Sequence, residues 1–131
     1  MKLQFKIVGF LLIALALLHL FFPKYFKWKT DLKSMSLINQ EMMVIHTFFI
    51  GLVVLLMGLL CLSSAEELIA TGLGKRISLG MAIFWTLRLI IQFFGYSKKL
   101  WKGKAFETSM HILFSALWTY LSVLFWMNYF N

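Results

Sequence analysis

Cysteine, proline and acidic residues are all scarce in this chain. Its 131 residues include one cysteine, one proline and five Asp or Glu residues. The lone cysteine, Cys61, excludes an intrachain disulfide and CxxC redox chemistry, and we expect it to pack as a small apolar residue. Charged residues form only 14% of the chain, whereas soluble domains hold about 25%. The shortage of charge argues against a soluble globular domain.

Long apolar runs stand where the charges are missing. Hydrophobic residues make up 61% of the chain, and a spanning helix needs roughly 20 of them in a row. Four runs fit, at residues 3–22, 42–62, 77–96 and 105–130. The sequence predicts an all-α integral membrane protein, one four-transmembrane-helix bundle over residues 1–131 with up-down-up-down topology. Pro23 is expected to close the first helix, and a signal peptide is the alternative for that run, although no clear cleavage site precedes Pro23.

Lysine and arginine are divided unevenly between the two ends of these helices. Face A, the end that carries the N-terminus, has four: Lys2, Lys6, Lys75 and Arg76. Face B has eight: Lys24, Lys27, Lys29, Lys33, Lys98, Lys99, Lys102 and Lys104. Cytoplasmic loops carry the positive excess, so we expect loops 23–41 and 97–104 in the cytoplasm and both termini outside. We also expect face B to contact anionic lipids, with no nucleic acid as a partner.

Three of the four runs contain one histidine each, at a similar depth. His19 lies five residues before Lys24, His46 five after Glu41, and His111 seven after Lys104. At 1.5 Å per residue, each lies roughly 7–10 Å below face B. Ionisable groups in a bilayer are costly and mark functional sites by default. The three histidines are therefore the candidate metal ligands of an intramembrane site.

The other polar residues of the spans recur at helical spacing. One stripe in the third run holds Trp85, Arg88, Gln92 and Tyr96, and one in the fourth holds Glu107, His111, Ser115, Trp118, Ser122 and Trp126. Polar stripes face the interior of a membrane bundle. We expect Arg88, Gln92, His46 and His111 to face one another, with His19 joining them. Five further residues are candidates either to bind a ligand directly or to hydrogen-bond to the residues that bind it: Arg88, Gln92, Glu107, Glu41 and Tyr96.

Three kinds of ligand suit this set of residues. Three imidazoles with an open position fit a transition metal such as Zn, Cu or Fe, and two of them fit a haem. Alternatively, histidine with Arg88 and Glu107 fits an anionic lipid headgroup or a quinone. The plain alternative is that the histidines only hydrogen-bond between helices. Arg88 is either an anion clamp or half of a buried ion pair with Glu107.

Two functions from different classes follow. The first is a membrane protein that uses this site in redox or lipid-modifying chemistry. The second is a non-catalytic accessory subunit of a larger membrane complex, favoured by the small size, the aromatic content of 18% and the lack of a soluble domain. Membrane protein partners or a homo-oligomer fit that second reading. The sequence does not decide whether the protein is an enzyme.

Overall fold

The structure, a computed structural model, describes residues 1–25, 30, 32–95, 103 and 105–131. Over these residues the chain is helical and contains no strand. Five α-helices are described, with a 3₁₀ turn at Leu32–Ser34: α1 (Lys2–Tyr25), α2 (Leu37–Ser63), α3 (Ala65–Ala70), α4 (Gly72–Phe94) and α5 (Ala105–Phe130). All but α3 are long and apolar enough to cross a membrane. The prediction of an all-helical protein with four such segments is confirmed.

The bounds of α1 and α2 differ from the predicted ones. Pro23 does not end α1, which continues to Tyr25. A proline removes one backbone donor, and in the last turn that loss is too small to stop a helix. The predicted start of α2 at residue 42 is also wrong, because the helix begins at Leu37. Ser36 caps it, since its Oγ accepts a hydrogen bond from the Asn39 backbone N–H at 3.4 Å.

The predicted connection over residues 63–76 is mostly helical. It contains α3 and the first turn of α4, which begins at Gly72 rather than at residue 77. Thr71 caps α4 by accepting a hydrogen bond from the Gly74 N–H at 2.9 Å. A Cβ at Gly74 would overlap the backbone of Leu68, so a glycine lets α3 lie close against α4. At its other end α4 stops at Phe94. The fourth predicted run, residues 105–130, coincides with α5.

Residues Lys2–Ala65 form one compact unit, in which α1 packs on α2. Gly9 lies against Gly58 near one end of the pair, and His19 lies against Gly51 nearer the other, so the two helices run in opposite directions. A Cβ added to Gly58 would lie 2.9 Å from the Gly9 carbonyl oxygen. Small residues permit such close approach in membrane helices, and here they draw α1 and α2 together.

Residues Glu66–Asn131 form the second unit, in which α4 packs on α5. Ser78 contacts Asn128 near the start of α4, and Gln92 contacts His111 near its end, so these helices are also antiparallel. Unlike the first hairpin, this one is joined by polar and aromatic side chains. Interhelical hydrogen bonds of this kind stabilise helix pairs in a membrane.

The four long helices keep most of their apolar surface on the outside. In each of the four helices, only 22% to 33% of an apolar stretch of 18 residues is buried. Exposed apolar side chains recur along every one of them, including Phe10, Phe48, Leu87 and Val123. Contiguous exposed apolar surface of this extent marks a membrane or an interface. The four helices are therefore compatible with a membrane protein.

Candidate functional site

Gln92 is the centre of a polar cluster in the α4–α5 hairpin. Gln92 is 5% exposed, although it lies only two residues before Phe94, the last residue of α4. The amide nitrogen Nε2 is 3.0 Å from Nδ1 of His111 on α5. The amide oxygen Oε1 is 3.3 Å from Nη1 of Arg88 and 3.3 Å from Nε1 of Trp118. One side chain thus connects two residues of α5 with Arg88, one turn earlier on its own helix.

These contacts fix the orientation of the Gln92 amide. Arg88 and the Trp118 indole nitrogen are both donors only, so the atom of Gln92 that faces them must be its oxygen. The amide nitrogen then faces His111 and donates to it. Because Nδ1 of His111 must accept that hydrogen bond, the neutral ring carries its hydrogen on Nε2. The cluster therefore selects one tautomer of His111.

Aromatic rings enclose the deeper side of the cluster. The Arg88 guanidinium carbon lies 5.0 Å from the centre of the Trp118 ring, within the range of a cation–π contact. Trp85 stacks on Trp118 with a centroid distance of 5.1 Å and an interplanar angle of 13°. Phe114 stacks on the same ring at 5.6 Å. The positive charge of Arg88 is thus held against an indole face in an apolar setting.

Two buried polar atoms beside this stack have no hydrogen-bond partner in the part of the chain that the structure describes. They are Nε1 of Trp85 and Oγ of Ser115. Trp85 is 2% exposed and stacks on Trp118, and Ser115 lies one turn before Trp118 on α5. Buried polar atoms are nearly always hydrogen-bonded, and an exception calls for an explanation such as a bound molecule. The site can therefore offer hydrogen bonds beyond those it makes within the hairpin.

His19 and His46 belong to the other hairpin. His19 is half-buried, with Nδ1 2.9 Å from the Leu15 carbonyl oxygen four residues earlier. A carbonyl only accepts, so Nδ1 of His19 carries the hydrogen, the reverse of His111. His46 is exposed on α2. Among the described residues, no three His, Cys, Asp or Glu side chains come together as a group that could hold a metal ion. The predicted three-histidine ligand set thus receives no support and stays a prediction.

Of the remaining predicted site residues, Glu107 is exposed in the first turn of α5, and Glu41 is exposed within α2. Tyr96 lies outside the described residues. Arg88 contacts Gln92 and the Trp118 ring, and its pairing with Glu107 stays a prediction. The structure brings together Arg88, Gln92 and His111 from the predicted set.

Trp85 and Trp118 fall in the predicted polar stripes but are not among the predicted site residues. Their signal was present, since Trp85 lies one turn from Arg88 and Trp118 lies two turns from His111. Asn128 was missed altogether. Asn128 is 1% exposed and donates through Nδ2 to the Leu68 carbonyl at 2.9 Å and to Oγ of Ser78 at 2.6 Å. An amide in the last apolar stretch of the fourth run was the signal that could have found it.

A second ring of polar contacts therefore lies at the face A end of the hairpin. Lys75 donates to the Asn128 carbonyl oxygen at 2.7 Å, which satisfies one of the carbonyls left open at the end of α5. Between the two polar ends, Trp126 donates to Oγ1 of Thr86 at 2.9 Å. These hydrogen bonds connect α5 with α3 and α4 through polar side chains that do not belong to the Gln92 cluster.

Comparison of the chain with protein-family models, with curated proteins and with solved structures finds no match.

Proposed function

We propose that this chain is a multi-pass membrane protein whose α4–α5 hairpin binds a membrane-dissolved amphiphile through the ligand's acceptor oxygens. The observation that carries the proposal is the Gln92 cluster with its two unpartnered buried polar atoms, Trp85 Nε1 and Ser115 Oγ. Phosphate oxygens of an anionic lipid and carbonyl oxygens of a quinone share the required chemistry. Both are small enough to enter between helices, where ligand sites of bundles are found.

The unpartnered indole N–H of Trp85 supports an acceptor ligand. The indole nitrogen can only donate, and it has no hydrogen-bond partner among the described residues. The single amide oxygen of Gln92 already accepts from Arg88 and Trp118. A ligand oxygen would match the Trp85 N–H. A ligand made of donors would not.

The setting supports a lipid-soluble ligand. The cluster lies on two helices whose apolar residues mostly face outward, so a molecule would reach it from the bilayer. The proposal includes the four long helices crossing one membrane as a bundle, with face B in the cytoplasm, because the lysine excess lies there. Lysines at that face would raise the local concentration of anionic amphiphiles.

A metal or haem is the weaker alternative for this site. His111 accepts from Gln92 at Nδ1 and therefore carries its hydrogen on Nε2, whereas a histidine that binds a metal donates its other ring N–H to a neighbouring acceptor. In addition, no group of three metal-ligating side chains is found among the described residues. The geometry supports an organic ligand held by Arg88 and Gln92 better than it supports a metal.

The test is to identify what the purified protein retains. Protein extracted in a mild detergent would be analysed by mass spectrometry for bound amphiphiles, beside the Arg88→Leu variant and the control variant Arg76→Leu. Arg76 is exposed near the start of α4, outside the cluster. We expect one amphiphile per chain in the natural protein and in Arg76→Leu, and its loss from Arg88→Leu.

The bound molecule then identifies its own class. A phospholipid or a carbonyl-bearing ring compound would each support the proposal, and the mass separates them. Retention of the same molecule by Arg88→Leu would contradict it. Protein that carries no amphiphile but co-purifies with other membrane subunits would instead favour the accessory role.

A further inference from the structure

We infer that the ligand of the α4–α5 hairpin is a neutral, carbonyl-bearing ring of the quinone class rather than a lipid phosphate. This rests on the proposed function and goes further by naming the ligand class. The observation that carries it is the pair of unpartnered buried polar atoms next to Trp118: Nε1 of Trp85, which stacks on the Trp118 ring, and Oγ of Ser115, one turn before Trp118 on α5.

The depth of these two residues is the first step. Trp85 lies nine residues before Phe94, the last residue of α4, and thirteen after Gly72, the first. At 1.5 Å per residue it is about 13 Å from one end of the helix and about 20 Å from the other. Ser115 is ten residues into α5, hence about 15 Å below that end. Half of a hydrocarbon core is about 15 Å, so Trp85 lies near the middle of the bilayer. Because Gln92 contacts His111 across the antiparallel helices, Ser115, one turn deeper than His111, lies at about the level of Arg88.

The cost of burying charge is the second step. A lipid phosphate stays at the headgroup level, because moving an ionised group into the hydrocarbon core is strongly unfavourable. Such a phosphate could approach the Gln92 end of the cluster but not Trp85. A neutral carbonyl oxygen loses far less on leaving water. Only a neutral acceptor can therefore match both polar atoms at their depth.

The shape of the site is the third step. Trp85 stacks on Trp118, and Ser115 lies one turn before Trp118 on α5. Arg88 and Gln92 lie one and two turns after Trp85 on α4, nearer face B. A quinone has a flat ring and carbonyl oxygens on opposite edges. One carbonyl can take the Trp85 N–H and the Ser115 hydroxyl, while the other faces Arg88. The ring would pack against indole faces, as aromatic pairs do.

The experiment measures binding of two defined probes to the full chain in detergent micelles. Isothermal titration calorimetry with a short-chain benzoquinone and, separately, with phosphatidylglycerol gives the two dissociation constants. The variants are Trp85→Phe, which keeps a ring but removes the N–H, and Ser115→Ala. The matched control is Ser109→Ala on α5, where the hydroxyl is exposed and donates to the Ala105 carbonyl of its own helix at 2.8 Å.

We expect saturable binding of the benzoquinone, weakened about 3- to 10-fold in Trp85→Phe and in Ser115→Ala, which is the loss of one neutral hydrogen bond. Ser109→Ala should bind like the natural chain. Circular dichroism reports whether each variant keeps its helices. Ser115→Ala removes a single oxygen, so it remains a fair test if Trp85→Phe does not fold.

Three results would overturn the inference, and they differ in whether the proposed function survives. Benzoquinone binding that is unchanged in Ser115→Ala and in folded Trp85→Phe shows that these atoms do not hold the ligand. Saturable binding of phosphatidylglycerol alone, lost in Arg88→Leu, removes the quinone class and leaves the proposed function intact. Binding of neither probe, with no amphiphile on the purified protein, removes both.

Discussion

Replacing Gln92 by leucine removes the side chain that connects α4 with α5 at the candidate site. Leucine has a similar volume, so the change leaves no large cavity and isolates the loss of polar contacts. Two of the lost hydrogen bonds are interhelical, to His111 at 3.0 Å and to Trp118 at 3.3 Å. The third, from Arg88, lies within α4. The variant therefore tests whether this network stabilises the hairpin.

The magnitude follows from the two interhelical bonds. Interhelical side-chain hydrogen bonds in membrane proteins average about 0.6 kcal/mol, with a maximum near 1.7 kcal/mol. Two such bonds predict a loss of about 1–3 kcal/mol in the free energy of unfolding. Gln92 is 5% exposed, so its partners are poorly placed to recover the loss with water, and the upper part of that range is the better expectation.

The assay is unfolding by sodium dodecyl sulfate in mixed micelles, followed by far-ultraviolet circular dichroism. Gln40→Leu is the matched control, because Gln40 lies on α2 and its side chain donates to the Met35 carbonyl at 2.8 Å in an exposed position. We expect that control to stay within about 0.5 kcal/mol of the natural chain. A Gln92→Leu variant as stable as the control would refute the reasoning that this network joins the two helices.

Three further predictions concern other parts of the chain. Nitrogen-15 spectra of histidine-labelled protein should show neutral His111 with hydrogen on Nε2 and neutral His19 with hydrogen on Nδ1, and the same tautomer at both would contradict the assigned hydrogen bonds. Gly58→Ala should destabilise the first hairpin by about 1–3 kcal/mol through overpacking, because its Cβ would lie 2.9 Å from the Gly9 carbonyl oxygen. The control Gly80→Ala, with open space around the added Cβ, should be neutral or stabilising by up to about 1 kcal/mol, so equal effects would count against the close packing. Reporter fusions after Asn131 should be active outside the cytoplasm, given the lysine excess at face B, and activity inside would reverse the predicted topology.

The four long helices could be predicted because apolar run length is a local property of the sequence. The limits of those helices were harder to predict. Hydropathy does not identify a helix start at a polar residue. Ser36 and Thr71 nevertheless cap the starts of α2 and α4, so both helices begin before their apolar runs. The short helix α3 was missed for a related reason: its six residues carry too little hydrophobic signal. Its position depends on Gly74 and on the hydrogen bond from Asn128 to Leu68.

By itself, the sequence determined that this protein has four apolar helices and that polar residues recur along two of them, since composition and the 3.6-residue period are sufficient for both. It also predicted that Arg88, Gln92, His46 and His111 would face one another with His19 joining them, and of these the structure brings together Arg88, Gln92 and His111. Only the tertiary structure decided that Gln92 links them, that His111 accepts rather than donates at Nδ1, and that the Trp85 indole is buried against Trp118. These features depend on how α4 and α5 are rotated and shifted against each other, and the periodicity of one helix does not specify that. The physical reason is that a hydrogen bond needs atoms within about 3 Å, whereas a sequence pattern places a side chain only on a face and at a depth.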